Sequence, residues 1–88
     1  MFVKKEKLLF ENYMQAGNQF LNEAYNLKKT SNFEQALKEL YNAYKFFEKA
    51  YELAKRNYFY ERTDAFSLMN IAKKDYLELK NRHINLEK

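Results

Sequence analysis

What most constrains this chain is what it lacks: in 88 residues there is no proline and a single glycine, Gly17. Turns and strand ends lean on those two residue types, because glycine supplies backbone conformations that other residues avoid and proline fixes φ. A sequence almost without them favours long uninterrupted helices over a many-turned sheet. At this length one core is the expectation, since a small fold buries barely enough apolar surface to outweigh conformational entropy. No cysteine is present to staple that core or to bind zinc. Cohesion must come from packing, to which eight Phe and eight Tyr contribute large buried areas.

Apolar spacing locates the helices. Phe33, Leu37, Leu40, Tyr44, Phe47, Tyr51, Ala54 and Tyr58 recur at alternating steps of four and three, which puts them on one face of a helix over 32–57. Beside them Ala36, Ala43 and Ala50 step by seven, a line of small side chains along which a neighbouring helix can approach closely. Phe46, Leu53 and Tyr60 widen the face on the other side, so this helix is expected to touch two neighbours. Ser31 followed by Glu34 fits an S-x-x-E capping box and places the first turn at Thr30-Ser31-Asn32.

Upstream, Phe10, Tyr13, Met14, Gly17, Phe20, Leu21 and Ala24 keep helical phase, predicting one helix over 4–29. A mid-helix glycine costs about 1 kcal/mol relative to alanine. Close packing against a bulky partner would compensate; a kink is the alternative. Downstream, Ala65, Met69, Ala72, Tyr76, Leu79, His83 and Leu86 predict a third helix over 64–86, capped by Thr63 or Asp64. The aromatic segment between, 57–62, reads as a packed turn. Short turns force neighbouring helices antiparallel, so the predicted fold is all-α, a single antiparallel three-helix bundle with long helices and frayed ends.

Chemistry is sparse. Proton transfer and nucleophilic attack need convergent groups, and the chain has one histidine and no cysteine. His83 reads as a partly buried core residue or as a partner of the helix carboxyl end rather than as a catalytic group. Glu-x-x-His pairs of di-iron bundles are absent, as is any glycine-rich phosphate loop. Acidic residues alternate with lysines, as in Glu34 and Lys38 four apart, a pattern of solvated ion pairs. The chain is therefore expected to be no enzyme and to need neither cofactor nor metal. No apolar stretch approaches the roughly 20 residues that cross a bilayer, and a cytoplasmic protein is the expectation.

The formal charge of +4 favours acidic partners without naming one. Lys55, Arg56, Arg62, Lys73 and Lys74 are the candidate phosphate contacts of a nucleic-acid-binding reading, with Tyr58 and Tyr60 as stacking groups. A bundle of this size cannot bury every aromatic. Some of Tyr25, Tyr41, Tyr58, Phe59, Tyr60 and Phe66 are expected at the surface, where tyrosine suits a protein interface.

Helix two carries a family resemblance. Asn32-Phe33-Glu34-Gln35-Ala36-Leu37-Lys38, followed by Ala43-Tyr44-Lys45-Phe46-Phe47, resembles the second-helix signature of the microtubule-interacting and trafficking (MIT) domain, with Ala24 matching an alanine of the family's first helix. The likeness covers about residues 20–51. In helix three Tyr76-Leu77 resembles the family's Tyr-Leu pair, while Glu78-Leu79-Lys80-Asn81-Arg82 stands where the family has Arg-Ala-x-x-Leu. Helix two is also similar, more weakly, to a tetratricopeptide hairpin. The MIT resemblance implies a protein-binding adaptor that holds a short, often acidic helix in a groove between bundle helices. Ala72, Tyr76 and Leu79 of helix three with Tyr41 of helix two are the residues expected to line it. The readings set against it are a small basic nucleic-acid-binding protein and a homodimeric structural protein that buries its surplus aromatics against a second copy.

Overall fold

The computed structural model describes residues 3–87, and the side-chain surroundings of residues 5–82. It consists of three helices, α1 (Val3–Lys29), α2 (Phe33–Arg56) and α3 (Arg62–Glu87), and no strand occurs among the described residues. The chain is an all-α three-helix bundle, 55 × 17 × 13 Å across its Cα atoms. The expected places of His83 and Leu86 on the core stripe lie outside the described side chains, while of the ends expected to fray, 1–3 and 85–88, the described residues are helical at Val3 and through Glu87.

Helix α2 is the centre of the arrangement: it packs along both α1 and α3, whereas α1 and α3 meet only sparsely. The alanine line explains how one helix serves two neighbours. Ala36, Ala43 and Ala50 are fully buried, and so are Ala24 of α1 and Ala65 and Ala72 of α3, so small side chains stand where backbones come closest. Larger groups fill the space between. Leu40 and Phe47 form the middle of the core with Leu21 and Leu79, and a second cluster near the other end gathers Phe10, Leu53 and Phe59.

Gly17 is the tightest of these approaches. Helix α1 runs unbroken through it, and a Cβ at that position would lie 2.5 Å from Cε1 and 2.7 Å from Cδ1 of Phe47. Phe47 is itself completely buried. The glycine therefore makes room for an aromatic ring, which is the compensation expected from the sequence.

Both turns depart from the expected capping. At the first, Ser31 has φ 63° and closes the end of α1: its N–H donates to the Lys28 carbonyl (3.1 Å) and the Asn32 N–H to the Leu27 carbonyl (2.9 Å). That pair of bonds is a Schellman motif, with serine in the left-handed position where glycine is usual. Ser31 is thus the stop of α1 and not the cap of α2. The cap residue is Asn32, which makes no side-chain cap bond and donates instead from Nδ2 to Thr30 Oγ1 (3.1 Å). The S-x-x-E reading fails because one residue cannot occupy both conformations.

The second turn repeats the motif. Tyr58 has φ 58°, its N–H reaching the Lys55 carbonyl (3.4 Å) and the Phe59 N–H the Ala54 carbonyl (2.9 Å). Phe59 then turns inward, 7% exposed, and meets Phe10 edge-on at 5.8 Å. It is a core residue, contrary to its place among the expected surface aromatics, because the motif points its side chain back at Ala54. Helix α3 starts at Arg62, two residues earlier than predicted. Thr63 does not cap it, since its hydroxyl donates to the Tyr60 carbonyl (3.3 Å).

Candidate partner-binding groove

The line of contact between α2 and α3 opens on one side into an apolar hollow. Tyr41, half exposed on α2, and Tyr76, half-buried on α3, set their rings 6.0 Å apart across it. Beneath and beside them a hollow of about 150 Å³ is lined by Tyr41, Tyr44, Lys73, Tyr76 and Leu77. A shallower one of about 440 Å³ adjoins it, lined by Leu37, Lys38, Tyr41, Asn42 and Tyr76. Towards the other end of the same face, Tyr51 of α2 packs on Phe66 of α3 at 5.2 Å, and Phe66 remains 45% exposed. Phe66 and Leu77 are eleven residues apart, about three turns, so they share one line of α3 beside its core stripe.

The charge around this hollow is basic. Lys38 and Lys73 line it, and the Lys80 ammonium lies 5.7 Å from the Tyr76 ring. Two carboxylates in the same stretches of α2 and α3, Glu48 and Asp75, have partners within the bundle. Glu48 accepts from Lys45 Nζ (2.9 Å) and from the Tyr44 hydroxyl (3.3 Å). Burial, with the Glu48 charge beside it, raises the Tyr44 pKa above the ordinary phenol value, so that hydroxyl stays protonated. Asp75 faces the other side of α3, where it accepts from the Tyr25 hydroxyl of α1 at 2.9 Å. Burial first, and the Asp75 hydrogen bond and charge second, push the Tyr25 pKa up to about 12.

Of the residues expected to line a groove, Tyr41 and Tyr76 come together, while Ala72 and Leu79 do not reach the surface. They are 0% and 5% exposed in the core with Leu40 and Ala43, because they lie on the line of α3 turned toward the other helices. Leu77 and Lys73 take the surface positions instead. The signal for Leu77 was present in the sequence, as an apolar residue one step off the core stripe.

The five candidate phosphate contacts are all exposed but do not converge. Lys55 lies 3.7 Å from Glu52 and 5.2 Å from the Tyr51 ring. Arg56 shares a shallow depression with Tyr13, Glu48, Lys49 and Glu52 on the α1 side of α2, whereas Lys73 belongs to the α3 side. Arg62 and Lys73 are separated by about 16 Å along one helix. Carboxylates interrupt the cations, and no continuous stripe results. The predicted Glu34–Lys38 pair is likewise not among the ion pairs of the described residues, which join Lys7 to Glu61, Lys45 to Glu48 and Lys55 to Glu52. Lys38 turns to the groove instead.

Among the described residues no three His, Asp or Glu side chains gather to hold a metal ion, and no helix is long and apolar enough to cross a membrane. No family model matches the chain, and neither a curated protein nor a solved structure matches it.

Proposed function

We propose that this bundle is a non-catalytic adaptor module that captures an acidic amphipathic helix of a partner protein in the groove between α2 and α3. The observation that carries this reading is the aromatic hollow between Tyr41 and Tyr76, edged by Lys38, Lys73 and Lys80 with the adjacent carboxylate of Glu48 turned to Lys45. Exposed aromatic and aliphatic groups supply the apolar contact that helix-in-groove recognition needs, and rim cations steer and orient a negatively charged partner. Lys73 belongs to this site rather than to a phosphate stripe. The MIT-like signature of α2 supports the same class of partner.

The test is a fluorescence-anisotropy titration with a labelled helix of about 18 residues, leucines at i, i+3, i+4 and i+7 and glutamates on the remaining face. Saturable binding is expected, and Tyr41→Ala combined with Leu77→Ser should weaken it about tenfold or more with the circular dichroism unchanged. Binding that is absent, or that the double variant retains in full, overturns the reading.

A further inference from the structure

The groove between α2 and α3 carries a second apolar station that the hollow does not include. Phe66 of α3 is 45% exposed, with its ring 5.2 Å from that of Tyr51 on α2. Packing of the bundle does not require a ring there: the buried residues of this part of α3 are Ala65 and Ala72, and Phe66 stands beside them on the rim. Leu77, 46% exposed, holds the matching place at the hollow. Each station thus sets an exposed α3 side chain beside a tyrosine of α2, Tyr51 at one and Tyr41 at the other.

The interval between the stations is a helical one. Phe66 and Leu77 are eleven residues apart, three turns or about 16 Å. Any α-helix laid along the groove presents the same face again after the same eleven residues. A partner that puts one side chain into the hollow therefore brings the residue eleven positions away over Phe66, with no bend in either helix.

The charge between the stations selects the occupant. Arg62, Phe66, Lys73, Leu77 and Lys80 follow one line of α3, all exposed, and no carboxylate stands on it. From Phe66 to Leu77 the one carboxylate of α3 is Asp75, bonded to Tyr25 on the α1 side. From Tyr41 to Tyr51 the one carboxylate of α2 is Glu48, which accepts from Lys45 and Tyr44. Two copies of the chain joined groove to groove would set these cations against each other, whereas an acidic helix is matched to them.

Resting on the adaptor reading above, we infer that the groove is a two-anchor site, which selects an acidic helix carrying large apolar residues at both i and i+11. One anchor fills the hollow at Tyr41 and Leu77, and the other packs on Phe66 and Tyr51. A helix whose apolar face does not extend over about three turns engages the hollow alone.

The test compares three labelled peptides in fluorescence-anisotropy titrations of the full chain. The first is the acidic helix of about 18 residues with leucines at i, i+3, i+4 and i+7. The second replaces its glutamate at i+11 with leucine, and the third places that extra leucine at i+9, on the opposite face. The second peptide is expected to bind about tenfold tighter than the first, and the third to bind as the first does. Phe66→Ser should erase the gain and leave the first peptide's affinity unchanged, while Phe66→Leu, which keeps an apolar side chain at the station, retains the gain. Tyr41→Ala with Leu77→Ser weakens all three. No gain from the leucine at i+11, the same gain from i+9, a gain that survives Phe66→Ser, or an equal loss of every peptide in that variant overturns the second anchor and leaves the adaptor reading in place. Binding of none of the peptides overturns both.

Discussion

Gly17 of α1 lies directly against the ring of Phe47 of α2, so close that a single added methyl would overlap the aromatic carbons. Two effects oppose each other there. Alanine would gain about 1 kcal/mol of helix propensity over glycine, but a completely buried ring has nowhere to retreat, and overpacking costs about 1–3 kcal/mol. The steric term wins. Gly17→Ala is expected to lower the melting temperature, and Phe47→Leu in the same chain should recover part of the loss. A stabilised Gly17→Ala protein in thermal denaturation would show that the ring is free to move.

Ser31 offers the reverse case. Its left-handed backbone costs an L-residue about 1–2 kcal/mol, which glycine avoids at the expense of greater freedom in the unfolded chain. Ser31→Gly should therefore stabilise by about 0.5–1 kcal/mol in urea denaturation. The cap residue of α2 is Asn32, so the start of that helix does not depend on the serine side chain.

Tyr25 and Asp75 tie α1 to α3, two helices that otherwise meet sparsely. Removing the donor leaves Asp75 without that bond, and Tyr25→Phe should cost about 1 kcal/mol. The pH dependence follows from the pKa, about 12 in the folded chain against an ordinary phenol value of 10. The folded state holds this proton more tightly, so the contribution is complete below pH 10 and is lost as pH rises through about 12. Ultraviolet titration should show phenols ionising late, one of them at about 12, and Tyr25→Phe should remove that last step.

Glu61 behaves in the opposite sense. The hydrogen bond from Lys7 outweighs desolvation and lowers its pKa below the usual carboxylate value. Its contribution is present at neutral pH and is lost as pH falls through the depressed folded value. In Lys7→Met the second carboxylate oxygen, Oε1, already buried without a partner, is joined by an unpaired Oε2. Acid unfolding of that variant should begin at higher pH than in the parent chain, as read by circular dichroism.

The helices were legible because apolar residues recur at helical spacing. The breadth of α2's apolar face even announced that two helices would pack on it, and its alanine line that one would come close. Gly17 could be read for the same reason: a small residue in phase with a core stripe leaves room for something large. The caps were not legible. Ser31 satisfies the S-x-x-E pattern in composition, and only the carbonyls its N–H and that of Asn32 reach reveal a helix ending rather than beginning. Ala72 and Leu79 were assigned to a surface because they share Tyr76's stripe. A stripe marks what faces the other helices, and only Tyr76 is long enough to extend from it to the edge where Tyr41 and Leu77 form the hollow.

The most direct test of the groove is to record amide chemical shifts of the labelled chain while the acidic amphipathic helix is added. Saturable shifts clustered at Tyr41, Lys73, Tyr76 and Leu77 are expected, with α1 and the Tyr58 turn undisturbed. Shifts centred on the α1 side of α2, or none at all at saturating peptide, would contradict it.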